Sequence, residues 1–129
     1  MSPLIRRLLR AAFYLASVLV GALSLTPSTT LPPVSIGDKA EHVIAYALLG
    51  LLGGISSERS VVRTAFGLAA FGIAIELLQA FSPGRSPDVF DVLADIVGAC
   101  IGCGGAIALR RMALTADRPR AASSDADGI

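Results

Sequence analysis

Titratable side chains occur inside segments of this sequence that are otherwise apolar. His42, Glu76 and Asp91 lie in three different apolar segments, and Asp95 follows Asp91 by four residues. A charged side chain at the middle of a membrane helix costs roughly 2.5–3.5 kcal/mol, so such groups are functional candidates. A histidine and two carboxylates can act as base and acid, or can bind a divalent cation such as Zn²⁺ or Mn²⁺. His42, Glu76 and Asp91 are therefore the candidate catalytic residues and metal ligands.

Helical spacing places these residues on common faces with other polar side chains. Residues three or four apart are neighbours on a helix, and the pairs with this spacing are His42 with Tyr46, Glu76 with Gln79, and Asp91 with Asp95. At roughly 1.5 Å per residue, His42, Glu76 and Asp91 each lie about 6 to 8 Å inside the end of a segment. We therefore expect one shared site in the interior. The remaining candidate binding residues flank it: Asp38, Lys39, Arg85 and Ser86.

Structural roles are the alternative for several of these residues. Asp38 and Glu41 have the spacing of a capping box, and Ser86 before Pro87 is typical of a helix N-terminus. Lys39 could anchor its helix at the membrane interface, and Arg85 could be solvated or pair with Glu76 or Asp91. His42, Glu76 and Asp91 could form a hydrogen-bonded network that only fixes the fold. For the Cys100–Cys103 pair, packing is favoured over redox or zinc chemistry.

The elements that would position these residues are apolar helices. Of 129 residues, 53% are hydrophobic and 16% are charged, which is too apolar for a soluble domain of this size. The net charge of +1 is too small to indicate a nucleic-acid-binding protein. Segments of about 17–25 apolar residues can span a bilayer, and four segments are candidates: 8–25, 43–55 with a polar lead-in from Asp38, 61–81 and 89–109. The sequence predicts an all-α, four-helix transmembrane bundle.

Basic residues predict the orientation of the bundle. Nine of the 11 Lys and Arg residues flank one side, and only Lys39 and Arg85 flank the other. The positive-inside rule then places both termini in the cytoplasm and the acidic site outside, in a multi-pass protein of the cell membrane. Residues 1–112 would form the membrane domain, and 113–129 a disordered cytoplasmic tail. The alternative is that the first segment is a cleaved signal peptide, although no convincing cleavage site precedes the loop.

Small residues predict how the helices pack. Four of them recur every fourth residue on the last segment, and two do so on the second. This small-xxx-small spacing lets membrane helices approach closely. The residues are Ala94, Gly98, Gly102 and Ala106, with Gly50 and Gly54.

Two stretches, DKAEHVIAYALLG at 38–50 and ELLQAFSPGRSPDVFDVLADIVGACIG at 76–102, resemble the VanZ-like family of bacterial membrane proteins. That family has D-K-x-x-H-x-x-x-Y on one helix, then E-x-x-Q, an R-S loop and D-x-x-x-N-x-x-G. Asp95 stands where the family usually has Asn. We expect Asp95 to be protonated and to replace the amide as an orienting group. The founding member is associated with teicoplanin resistance, so the resemblance implies a cell-envelope protein of glycopeptide-resistance type.

Three functions remain open from the sequence. The first is binding of a lipid-linked envelope component, a lipoglycopeptide or a cation at an outward-facing acidic site. The second is an intramembrane enzyme, dependent on a metal or on acid–base chemistry, that acts on a lipid-linked envelope substrate. The third is a small proton-coupled permease that uses Glu76, Asp91 and Asp95 as a relay, although four short helices leave little room for alternating access.

Overall fold

The computed structural model describes residues 1–27, 37–57 and 60–116, which form four α-helices and no β-strand. The helices are α1 (Pro3–Leu25), α2 (Asp38–Ser56), α3 (Val61–Gln79) and α4 (Val89–Ala116). The predicted all-α, four-helix architecture is confirmed. Helices α1, α3 and α4 are long and apolar enough to cross a membrane. The first turn of α2 carries Asp38, Lys39 and Glu41, which shortens its apolar stretch.

Glycine and serine residues, not a capping box, set the starts of α1 to α3. Helix α2 follows Gly37, whose φ of 93° lies in the region that glycine tolerates, and no side chain caps this end. The capping-box prediction for Asp38 and Glu41 is therefore wrong. Serine hydroxyls cap the other two helices, since Ser2 accepts from the Ile5 amide and Ser60 from the Arg63 amide.

Helix α4 begins later than the sequence predicts. Its first residue is Val89, and the Asp88 carboxylate accepts a hydrogen bond from the Phe90 amide at 2.8 Å. Asp88 therefore does the capping that we expected of Ser86, which is exposed. An aspartate immediately before the first helical residue satisfies an amide that has no partner within the helix.

The other end of α4 extends past the expected domain boundary. The helix continues to Ala116, so the expected start of the tail at Ala113 falls inside α4. Ala113, Leu114 and Ala116 are good helix formers, which accounts for the extension. Residues 117–129, the remainder of the predicted tail, lie outside the described part of the chain.

Helices α2 and α4 form the most extensive helix pair. The backbone of α2 lies so close to Gly98 and Gly102 that a Cβ at either glycine would overlap a carbonyl, that of Val43 or Ala47. A Cβ at Gly50 would lie 2.7 Å from the carbonyl oxygen of Ala99. The small-residue prediction is therefore confirmed, and the ridge on α4 faces α2.

The core beside this contact is small, and much of the outer surface is apolar. Buried side chains from α2, α3 and α4 pack together there, namely Tyr46, Leu49, Leu68 and Ala99. Large hydrophobic side chains are exposed on all four helices; Leu15, Ile44, Phe66 and Ile101 are examples. This distribution suits a protein whose outer surface contacts lipid.

Candidate functional site

Side chains from the first two turns of α2 and α4, and from the residue just before α4, form a polar cluster, which consists of Lys39, His42, Asp88, Asp91 and Asp95. The Lys39 Nζ lies 2.6 Å from Asp88 Oδ2 and 2.9 Å from Asp91 Oδ1. The His42 Nδ1 lies 2.8 Å from Asp95 Oδ1, and its Nε2 lies 3.9 Å from Asp91 Oδ2. Asp91 therefore lies between the ammonium and the imidazole.

Helix periodicity and a missing side chain bring the polar cluster together. Lys39 and His42 are three residues apart on α2, and Asp91 and Asp95 are four apart on α4, so each pair points in one direction. Gly72 of α3 closes the inner side, where a Cβ would lie 2.6 Å from the Asp95 Oδ2. Any larger residue at 72 would displace the carboxylate.

The cluster contains two buried carboxylates that are both paired. Asp95 is 1% exposed and Asp91 is 5% exposed, and an unpaired charge at such a position would be strongly destabilising. We expected Asp95 to be protonated because of desolvation and the neighbouring Asp91, with no Lys or Arg of α4 within reach. That expectation did not include His42, which reaches it from α2. An ionised Asp95 is an acceptor only, so in that state the His42 Nδ1–H donates and Nε2 faces Asp91.

Glu76 is buried, and its hydrogen bond is with the backbone just before α4. Its Oε1 accepts a hydrogen bond from the backbone amide of Asp88. Its Oε2 is buried and has no hydrogen-bond partner among the described residues. Glu76 therefore fixes the backbone just before α4 and, with it, the Asp88 carboxylate that binds Lys39.

The structure assembles a different set of possible metal ligands from the predicted one. Asp38, His42 and Asp91 each offer a ligand atom, and these atoms all lie within 4.8 Å of one another. Glu76, which the sequence suggested as the third ligand, is not a member of this group. Asp38 is exposed, and the Lys39 ammonium already contacts Asp91. A divalent cation bound here would therefore compete with Lys39.

The remaining predicted site residues hold neighbouring elements together or lie apart. The Gln79 Nε2 donates to the Ser24 carbonyl at 3.0 Å, and the Arg85 Nε donates to the Thr26 carbonyl at 3.3 Å. Arg85 therefore interacts with the end of α1. The alternative in which Arg85 pairs with Glu76 or Asp91 is not what the structure shows. Ser86 is exposed and has no side-chain hydrogen bond within the described ranges. Tyr46 is buried and packs against Phe71.

A polar cavity of about 260 Å³ opens beside the cluster, between α1, α2 and the loop before α4. Its polar lining residues are Ser24, Asp38, Glu41, His42, Tyr46 and Arg85. An apolar groove of about 360 Å³ runs between α1 and α2, lined by Leu19, Ile44 and Leu48 among others. Val20, Glu41 and Ala45 line both spaces. The polar cavity and the apolar groove are therefore adjacent.

The site lies within a region that matches a known protein family. Residues 7–110 match the model of the VanZ/LLP1 family. The chain belongs to this family. The match begins within α1 and ends within α4, so the VanZ/LLP1 domain includes every residue of the polar cluster. No curated protein and no solved structure shows a significant match to the chain. The chain is thus a membrane protein of VanZ type.

Asp88, which lies outside the predicted membrane spans of the VanZ/LLP1 domain, has a lowered pKa. The hydrogen bond from the Lys39 ammonium lowers the pKa of Asp88, and the hydrogen bond from the Phe90 amide acts in the same direction. Asp88 is therefore ionised at neutral pH. The Lys39 ammonium also lies 5.7 Å from the centroid of the Phe90 ring, so the loop and the first turn of α4 hold it from two sides.

Sequence reasoning missed several residues of this VanZ/LLP1 site. Gly72 lies four residues before Glu76 and so on the same helix face, a signal that could have identified it. Glu41 was treated only as a cap, yet it lines both the polar cavity and the apolar groove. Val20 and Leu23 of α1 carry no chemical signal, and only the packing of α1 beside α2 brings them to the cavity.

Proposed function

We propose that this VanZ/LLP1 protein is a multi-pass protein of the cell membrane that binds a lipid-bearing component of the cell envelope. In this proposal all four helices span the membrane, and the charged first turn of α2 lies at the outer interface. The bias of nine basic residues against two supports cytoplasmic termini. The polar cluster would then face the outside, where envelope components and lipoglycopeptides are encountered.

The observation that carries the proposal is the junction between the polar cavity and the apolar groove. An amphiphile needs both environments, because its head group is polar and its acyl chain is not. Leu19, Ile44 and Leu48 offer an apolar wall for a chain, and His42 and Glu41 lie where the head group would begin. Burial of an acyl chain contributes about 0.8 kcal/mol per CH₂ group.

Charge and size narrow the ligand class. Two carboxylates, those of Asp38 and Glu41, line the polar cavity against one guanidinium, that of Arg85. The Arg85 guanidinium donates to the Thr26 carbonyl, and the nearby Lys39 ammonium is already engaged by two aspartates. The acidic groups favour a head group with an amine or another cationic centre. A cavity of about 260 Å³ is small compared with ordinary drug-sized pockets of about 300–1,000 Å³. It would therefore take the lipid-bearing part of a lipoglycopeptide, or a head-group fragment, and not a whole drug molecule.

Native mass spectrometry of the purified protein tests this proposal. Val20→Trp would fill the junction between the two spaces, whereas Val18→Trp adds the same bulk at a side chain that is 71% exposed and lines neither space. We expect a co-purifying amphiphile on the wild-type protein and on Val18→Trp, and its loss from Val20→Trp. Equal retention by both variants would contradict the proposal.

An intramembrane enzyme is the second candidate, because Asp38, His42 and Asp91 could hold a divalent cation at the entrance to the polar cavity. Bound to these residues, Zn²⁺ or Mn²⁺ would supply Lewis-acid chemistry toward a lipid-linked substrate. Asp95 would orient the His42 ring through Nδ1. Equilibrium dialysis with Zn²⁺ and Mn²⁺ separates the two candidates. Stoichiometric binding that is lost in His42→Ala favours the enzyme, and no binding above that of His42→Ala excludes this metal site.

A further inference from the structure

At the opposite end of the bundle from the polar cluster, the structure contains a second polar space, which we call the basic cavity. It has a volume of about 470 Å³ and lies between α1, the end of α2 and the start of α3. Its polar lining side chains are Arg10, Tyr14, Ser56, Ser57 and Thr64. None of its lining residues is acidic, so its charge is positive.

We propose that the basic cavity binds a phosphate group, and that the phosphate is the head group of an anionic phospholipid. The proposal concerns a different end of the molecule and does not rest on the amphiphile site described above. It names a ligand class from three features of the basic cavity, namely its unpaired arginine, its hydroxyl groups and its helix N-terminus.

The first feature is the arginine. Arg10 is exposed and forms no ion pair or side-chain hydrogen bond within 1–27, 37–57 or 60–116. It lies two residues inside the apolar segment that begins at Leu8, about 3 Å from that end at roughly 1.5 Å per residue. An arginine near the end of a membrane helix extends to the interface, where anionic head groups lie. A phosphate matches the guanidinium by accepting two parallel N–H bonds.

The second feature is the set of hydroxyl groups opposite the arginine. Ser56 donates its proton to the Gly53 carbonyl, while the Thr64 hydroxyl has no hydrogen-bond partner among the described residues. Thr64 and Tyr14 therefore each have a free donor that lines the basic cavity. Phosphate oxygens are acceptors, so these donors complement the guanidinium.

The third feature is the start of α3. Thr64 lies in the first turn of this helix, which contains no acidic residue. The dipole of α3 contributes a partial positive charge at this end of the helix, which favours an anion. In the orientation proposed above this end of the bundle faces the cytoplasm, where basic pockets between membrane helices bind anionic head groups. The basic cavity has the volume of an ordinary small-molecule site.

The test uses the full chain in detergent, titrated with phosphatidylglycerol or phosphatidylcholine and followed by native mass spectrometry. Arg10→Gln removes the guanidinium from the basic cavity. Arg7→Gln is the matched control, because it removes the same charge from the same end of α1 at a residue that does not line the cavity. Thr64→Val removes one hydroxyl and keeps the methyl group that packs against Gly53.

We expect the wild-type protein to bind phosphatidylglycerol in preference to phosphatidylcholine. Arg10→Gln should weaken binding by about fivefold or more, the effect of one basic residue at an anionic surface. Arg7→Gln should change binding less than twofold, because salt screens an exposed guanidinium outside the cavity from the bound phosphate. Thr64→Val should weaken binding to an intermediate extent. Equal weakening by Arg10→Gln and Arg7→Gln would overturn the proposal, as would the absence of a lipid preference in the wild-type protein.

Competition with inorganic phosphate shows whether the bound phosphate belongs to a phospholipid or to a soluble phosphate compound. If phosphate at millimolar concentration leaves phosphatidylglycerol bound, the phospholipid assignment is supported. If phosphate displaces the lipid from the wild-type protein and binds to Arg10→Gln more weakly, the phospholipid assignment is overturned in favour of a soluble phosphate compound.

Discussion

A single methyl group at Gly102 should measurably destabilise the bundle. A Cβ there would overlap the Ala47 carbonyl and lie 2.7 Å from the Leu51 amide nitrogen, whereas ordinary contacts begin at 3.4 Å. Both neighbours are backbone atoms of α2, so no side-chain rotation relieves the overlap and the helices must separate. Overpacking of this kind costs about 1–3 kcal/mol.

Gly104→Ala is the matched control for Gly102→Ala. A Cβ at Gly104 has nothing within 4 Å, so this variant gains only the helix propensity of alanine, about 1 kcal/mol. Gly102→Ala has the same gain, which cancels in the comparison. The free energy of unfolding of Gly102→Ala should therefore lie about 1–3 kcal/mol below that of Gly104→Ala.

Reversible unfolding in mixed micelles, followed by circular dichroism, measures this difference. Gly98→Leu and Gly102→Leu should be more severe than Gly102→Ala, because their side chains must also be accommodated between α2 and α4. Equal stability of Gly102→Ala and Gly104→Ala would refute the packing of α4 against α2 and would place the small-residue ridge toward lipid.

Three further results are expected. Reporter fusions after Ser57 and after Asp117 should both report the cytoplasm, and a periplasmic signal from either would overturn the orientation. Asp95→Asn should keep amphiphile binding, because its side-chain oxygen can still accept from the His42 Nδ1–H, whereas Asp95→Leu should lose it; equal loss would instead favour the proton-relay permease. Because the folded pKa of Asp88 is lowered, its ion pair with Lys39 stabilises the fold above the ordinary aspartate pKa of about 3.9 and is lost as pH falls through the folded value. Melting temperatures below about pH 4 should therefore fall more for the wild-type protein than for Asp88→Asn, and parallel curves would contradict the stabilising role of this ion pair.

Much of the fold could be predicted from the sequence, because helix length and small-residue spacing are local properties. The start of α3 at Val61 agrees with the prediction, and Gly98 and Gly102 face a neighbouring helix as expected. The start of α4 was not predicted, because Pro87 fits the first position of a helix equally well. The helix starts at Val89 because the Asp88 carboxylate accepts a hydrogen bond from the Phe90 amide.

The sequence predicted the depth of several polar side chains but not which of them pair. Counting residues along each helix predicted that His42 and Asp91 lie at the same depth. In the structure the His42 Nε2 lies 3.9 Å from the Asp91 Oδ2. Rotation of the helices about their axes decides which charges meet, and single-helix spacing contains no information on it. Lys39 was therefore regarded as an interface anchor, although it contacts Asp88 and Asp91. The Glu76 partner is a backbone amide, which has no signature in the sequence.

Photocrosslinking at the junction of the polar cavity and the apolar groove tests the central proposal most directly. A photoreactive amino acid placed at Val20 would lie where the two spaces meet, and the same residue at Val18 would face away from both. In whole cells, the probe at Val20 should crosslink to an envelope amphiphile that mass spectrometry distinguishes from bulk phospholipid, while the probe at Val18 should crosslink to bulk phospholipid alone. Identical crosslinked species at both positions would contradict the account.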